Sequence, residues 1–111
     1  MSEADRKLVL IVDDTPTNVA VVSGVLKDSY RTKVATNGEK ALAIANAPEK
    51  PDLILLDVMM PGMDGIQLMD EVHKTLPEML VIIMTAYATV DTAVKAMKKG
   101  AYDYFVKPFN P

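Results

Sequence analysis

The sequence predicts an α/β protein, a five-stranded parallel sheet in the doubly wound order 2-1-3-4-5 with helices on both faces. Three observations carry that expectation. Five short apolar or β-branched runs recur along the 111 residues, and the stretches between them have helical spacing. The runs are also apolar nearly throughout instead of alternating with polar residues, as in strands covered on both faces. Right-handed crossovers then return each strand to the same sheet in parallel.

The first strand is Leu8 to Val12. A helix follows from about Thr17 to Asp28, with Val19, Val22, Val25 and Leu26 forming its apolar face. Thr32 to Thr36 is the second strand, and its TKVAT composition suits an edge. After the Asn37-Gly38 turn comes a shorter, alanine-rich helix from Glu39 to Ala47. Leu53 to Leu56 is the third strand; Ile66, Met69, Val72 and Leu76 mark the third helix. Leu80 to Met84 is the fourth strand, and in the fourth helix Val90, Ala93, Val94 and Met97 stand at i, i+3, i+4 and i+7 with Lys95, Lys98 and Lys99 opposite. Met69, Met84 and Met97 are expected to face the core. The aromatic run Tyr102 to Val106 is the last strand and the second edge, because the runs at 8, 53 and 80 are the most uniformly apolar and belong in the interior.

Beyond Lys107-Pro108-Phe109, the pair Asn110-Pro111 has the form of an N-cap and first residue of a fifth helix. The expected organisation is one domain over 1–111, with the fifth helix absent or truncated and an apolar part of the sheet open to self-association.

Half of the residues are hydrophobic and 24% are charged, the balance of a folded chain and not of a disordered one. Net charge is −3 with the basic residues scattered, which argues against direct nucleic-acid binding or an anionic membrane surface. The absence of cysteine excludes disulfides, thiolate metal sites and a cysteine nucleophile. No apolar run approaches the ~20 residues of a membrane span, and MSEADRK has no signal-peptide core, so a cytoplasmic location is expected.

Polar residues recur at the carboxyl ends of the strands. LVLIV runs into Asp13-Asp14, LILL into Asp57, LVIIM into Thr85 and YFV into Lys107. In an open parallel sheet these ends share one edge, where ligands bind. Three carboxylates gathered there repel one another, and burial penalises their charged forms unless a cation compensates. Oxygen ligands without His or Cys select a hard divalent ion; Mg²⁺ fits a site with few carboxylates because it keeps several waters, and Mn²⁺ is the alternative. Three carboxylates, one Mg²⁺ and Lys107 sum to neutrality. A phosphoryl group added to one Asp brings negative charge that the metal and Lys107 can stabilise, with a hydroxyl from Thr85.

IVDD, LLDVMMPGMDG, TAYA and DYFVKPF together resemble the receiver domain of bacterial two-component response regulators, in the right order over about Lys7 to Pro111. The resemblance implies a flavodoxin-like fold. It implies that Asp57 is the phosphoacceptor, that Asp13, Asp14, Asp57 and the backbone carbonyl of Met59 hold Mg²⁺, and that Thr85 and Lys107 complete the catalytic set. It makes Thr85 and Tyr104 the switch pair and Lys107-Pro108 a cis peptide. Met59 and Tyr87, bulky and non-ionisable, are expected to shield the acyl phosphate and lengthen its life. The partners implied are a histidine kinase or histidine phosphotransfer protein, and an output domain or target reached through the fourth helix and fifth strand. A receiver is no enzyme beyond catalysing its own phosphorylation and dephosphorylation.

Plainer roles are expected for other residues: Asp64 as an N-cap for the third helix, His73 as a surface residue, and Lys95, Lys98 and Lys99 as a solvated face. The rival functions are a phosphohydrolase of the haloacid dehalogenase type and an interaction-only receiver. The first usually carries DxD on its first strand, where this chain has adjacent Asp13-Asp14. The second has no need of the whole set of charges. A flavin module needs a phosphate loop after the first strand, where DDTPTN presents two carboxylates instead.

Overall fold

Every residue of Leu8–Val12 is buried, a condition a strand meets only inside a sheet covered on both faces. The computed structural model describes residues 6–57, 65–85 and 90–106. Within them the order is β1 Leu8–Val12, α1 Pro16–Leu26, β2 Arg31–Ala35, α2 Gly38–Ala45, β3 Leu53–Asp57, α3 Gly65–Thr75, β4 Leu80–Thr85, α4 Val90–Lys98 and β5 Asp103–Val106. All strand pairs are parallel, and the sheet runs β2-β1-β3-β4-β5. The three most apolar runs are the interior strands, as expected. The expectation about a fifth helix falls on residues outside the described ones, as does the N-cap role of Asp64.

Strand alternation divides the core in two. On one face Leu10, Val12, Ile54, Leu56, Val81 and Ile83 pack with Ala41 and Ala45 of α2, Ile66, Met69 and Val72 of α3, and Ala96 of α4. On the other, Val9, Ile11, Leu55 and Met84 meet Val22 of α1, with Val19 and Leu26 half-buried beside them. Local contacts fix the ends. Asn37 caps α2 by accepting a hydrogen bond from the Lys40 amide at 2.9 Å, a contact type worth ~1 kcal/mol. The Asp52 carboxylate accepts from the Leu8 amide at 2.8 Å, and the Asp52 amide donates to the Leu8 carbonyl at 2.8 Å, tying the approach to β3 to the start of β1.

Three expectations need correction. Val25 is 77% exposed because α1 rests on the sheet through Val22, and the apolar row around it faces an open groove. Met97 is 46% exposed and Val94 is exposed with it; among the described side chains of α4, Ala96 is the one buried in the core. A helical apolar stripe gives a face but not which of its flanks meets a neighbour. His73 is half-buried: its Nε2 lies 2.9 Å from the Met79 carbonyl, and its ring packs against Gly100. Gly100 has φ +110°, so any other residue there would be strained. The three lysines are solvent-facing as expected, and Lys99 also pairs with Asp70 of α3 at 3.2 Å.

Candidate metal centre

The register of the sheet brings the polar strand ends to one level. Val12 lies opposite Leu56, Asp57 opposite Met84, and Thr85 opposite Val106. Asp13 therefore follows β1 at the height where Asp57 closes β3. Asp13 stays attached to the sheet, since its amide donates to the Ala35 carbonyl at 3.1 Å and continues the β1–β2 ladder. A ligating oxygen from each of Asp13, Asp14 and Asp57 falls within 4.8 Å of the others. It is the one such cluster of His, Cys, Asp or Glu among the described residues.

Burial within the cluster is uneven. Asp13 is 1% exposed and Asp57 5%, whereas Asp14 faces solvent. The two buried carboxylates sit at the ends of interior strands, Asp13 just after β1 and Asp57 closing β3, and the exposed one opens the cluster to water. An oxygen-only donor set with a wet side fits a hard divalent ion that binds through few carboxylates and retains waters. Helix α1 starts directly after the acidic pair. The Thr15 amide donates to Asp13 Oδ1 at 2.9 Å, and the Thr15 hydroxyl lies 3.4 Å from Asp14 Oδ1.

Among the other expected site residues, Thr85 ends β4, beside Val106 on β5. Tyr104 is half-buried against the α2–α3–α4 core, and its buried hydroxyl has no hydrogen-bond partner among the described residues. Met59, Tyr87, Lys107 and Pro108 lie outside the described residues, and with them the carbonyl ligand, the shielding pair, the lysine and the cis peptide. Sequence reasoning missed Thr15. Its position directly after Asp13-Asp14 at a strand-to-helix turn was the available signal, but a threonine there is ordinary turn chemistry until its hydroxyl is located.

Residues 9–111 match the family described as the response regulator receiver domain. The chain is 40% identical over 105 residues to the nitrogen assimilation regulatory protein NtrX of Azorhizobium caulinodans, covering 92% of this chain and 23% of that protein. Chemotaxis protein CheY4 of Vibrio cholerae has a similar structure, with a TM-score of 0.89 at 31% identity, over 96% of this chain and 90% of that one. A response regulator from Burkholderia pseudomallei, solved with a phosphorylated aspartic acid, calcium ion and citrate, gives a TM-score of 0.84 at 31% identity, over 94% and 61% of the two chains. The chain spans about a quarter of the length of the curated relatives it matches. Among the described residues no helix is long and apolar enough to cross a membrane.

Proposed function

The chain belongs to the response regulator receiver domain family, a signalling domain of two-component systems, and on that premise we propose that Asp57 accepts the phosphoryl group of a phosphorelay. The observation that carries this reading is the carboxylate cluster at the carboxyl edge, with Asp57 ending an interior strand inside it. A carboxylate oxygen of Asp57 attacks phosphorus as the bond from phosphorus to the donor's histidine nitrogen breaks, giving an acyl phosphate and a free imidazole. Asp13, Asp14, Asp57 and the Met59 carbonyl would hold Mg²⁺, which would offset the charge on the phosphoryl oxygens. Burial keeps Asp13 and Asp57 in place and excludes water from one side of the reacting carboxylate. Lys107 and the Thr85 hydroxyl pair with phosphoryl oxygens.

The switch follows from the same residues. Phosphorylation draws Thr85 inward, and Tyr104 turns with it, so that the surface around α4 and β5 changes. This biases an existing two-state equilibrium and does not build a new state. The Tyr104 hydroxyl supports the reading: it is buried with no partner among the described residues, and a buried polar group lacking a partner carries a penalty that a change of ring position can relieve. Met59 and Tyr87 shield the acyl phosphate from water. The partners are a histidine kinase or phosphotransfer protein and an output domain or target, in the cytoplasm, and the domain catalyses only its own phosphorylation and dephosphorylation. The 1–111 chain is one receiver domain, and its open apolar groove beside α1 allows self-association.

Intact-mass measurement after incubation with acetyl phosphate and Mg²⁺ tests this function. Wild type gains one phosphoryl group and Asp57→Asn gains none. A folded wild type that gains none under these conditions contradicts the proposal.

A further inference from the structure

Thr15 stands at the N-cap of α1, where a threonine hydroxyl ordinarily accepts a hydrogen bond from an amide of the first turn. Here it makes no capping bond. It is turned toward Asp14 instead, 3.4 Å from Oδ1, while the Thr15 amide holds Asp13 Oδ1 at 2.9 Å. Among the described residues it is the one hydrogen-bond donor that reaches the Asp14 carboxylate.

The two aspartates need this help unequally. Asp13 is buried and tied to the β1–β2 ladder, and its Oδ1 accepts from the Thr15 amide, so it is already held. Asp14 is exposed, and its carboxylate would sample several rotamers that metal binding must then freeze. A contact that restricts it beforehand lowers the cost of binding. From these contacts we propose that Thr15 is a positioning residue of the metal centre: it gives up the capping of α1 to hold Asp14 toward Asp13 and Asp57. This rests on the metal centre proposed above and adds to it the residue that sets its cation affinity.

Calorimetric titration of Mg²⁺ and of Mn²⁺ into the 111-residue protein, alongside thermal melts without metal, tests the proposal. Thr15→Val removes the hydroxyl and keeps the shape, whereas Thr15→Ser keeps the hydroxyl. The expected result for Thr15→Val is an affinity loss of about tenfold, the low end for residues that orient metal ligands. Its metal-free melting temperature should stay unchanged, because no capping bond is lost, and Thr15→Ser should restore the affinity. Thr15→Ala serves as the second hydroxyl-free variant if the valine protein does not fold. Wild-type affinity in a folded hydroxyl-free variant overturns the proposal. So does a lowered melting temperature with unchanged affinity, which would make Thr15 a helix cap after all. A wild type that binds neither ion refutes the metal centre itself, and that outcome is distinct from the failure of Thr15 alone.

Discussion

The two faces of the sheet are built from the same strands, yet they are covered differently. Leu56 and Ile83 lie under α2, α3 and α4 and are fully buried, while Leu55 and Ile82 on the reverse face line a groove of about 930 Å³ beside α1. Val21, Val25, Leu80 and Tyr102 leave that groove with exposed apolar walls. One face is therefore covered by three helices, and the other leaves an apolar groove exposed. The carboxylate cluster lies at the carboxyl edge of the sheet, where the chain leaves the strands.

The largest effect expected from this difference is in core truncation. Leu56→Ala should cost about 4 kcal/mol in urea unfolding and Leu55→Ala about 2 kcal/mol, because the cavity left on the open face can collapse or fill with water. Equal costs would mean that the groove is closed in solution. Next comes Tyr104, on the covered face. Tyr104→Phe removes a buried hydroxyl that has no partner among the described residues and should stabilise the domain by about 1–2 kcal/mol in the same assay. Destabilisation would mean that the hydroxyl has a partner in solution.

Val25→Glu sharpens the comparison from the open side. A substitution at so exposed a position should change stability by less than about 0.5 kcal/mol. On the proposal that the groove mediates self-association, light scattering should show concentration-dependent association of the wild-type chain and none for Val25→Glu, which puts a charge into the apolar groove. The smallest effect is at the amino edge of the sheet. Arg31 donates to Glu49 at 2.6 Å, and this hydrogen bond and charge, helped by Lys33, hold the Glu49 carboxyl below its ordinary 4.5. A depressed carboxyl stabilises the fold above the unfolded-state value and loses that contribution as pH falls through the folded-state value. Glu49→Gln should thus flatten the acid limb of stability below about pH 4.5 and leave neutral pH almost unchanged, as an exposed ion pair requires.

The strand order and the carboxyl-edge cluster were legible in the sequence because both follow from uninterrupted apolar runs. LVLIV, LILL and LVIIM can only be interior strands, and whatever follows them must emerge at one edge. What could not be read was set by neighbours distant in sequence. Val25 and Met97 belong to sound helical stripes, but their exposure depends on which flank of each helix meets the sheet. His73 looked like a surface residue because its two contacts, the Met79 carbonyl and Gly100, come from separate loops. Thr15 was hidden because the choice between capping a helix and holding Asp14 is made by a single hydroxyl rotation.

Chemical trapping of the phosphorylated residue reaches the central claim most directly. Borohydride reduces an aspartyl phosphate to homoserine, so the protein is treated with acetyl phosphate and Mg²⁺, reduced, digested and sequenced by mass spectrometry. The account predicts homoserine in place of Asp57 alone, lost when the metal is chelated. Homoserine at Asp13 or Asp14, or none in a folded protein, would contradict it.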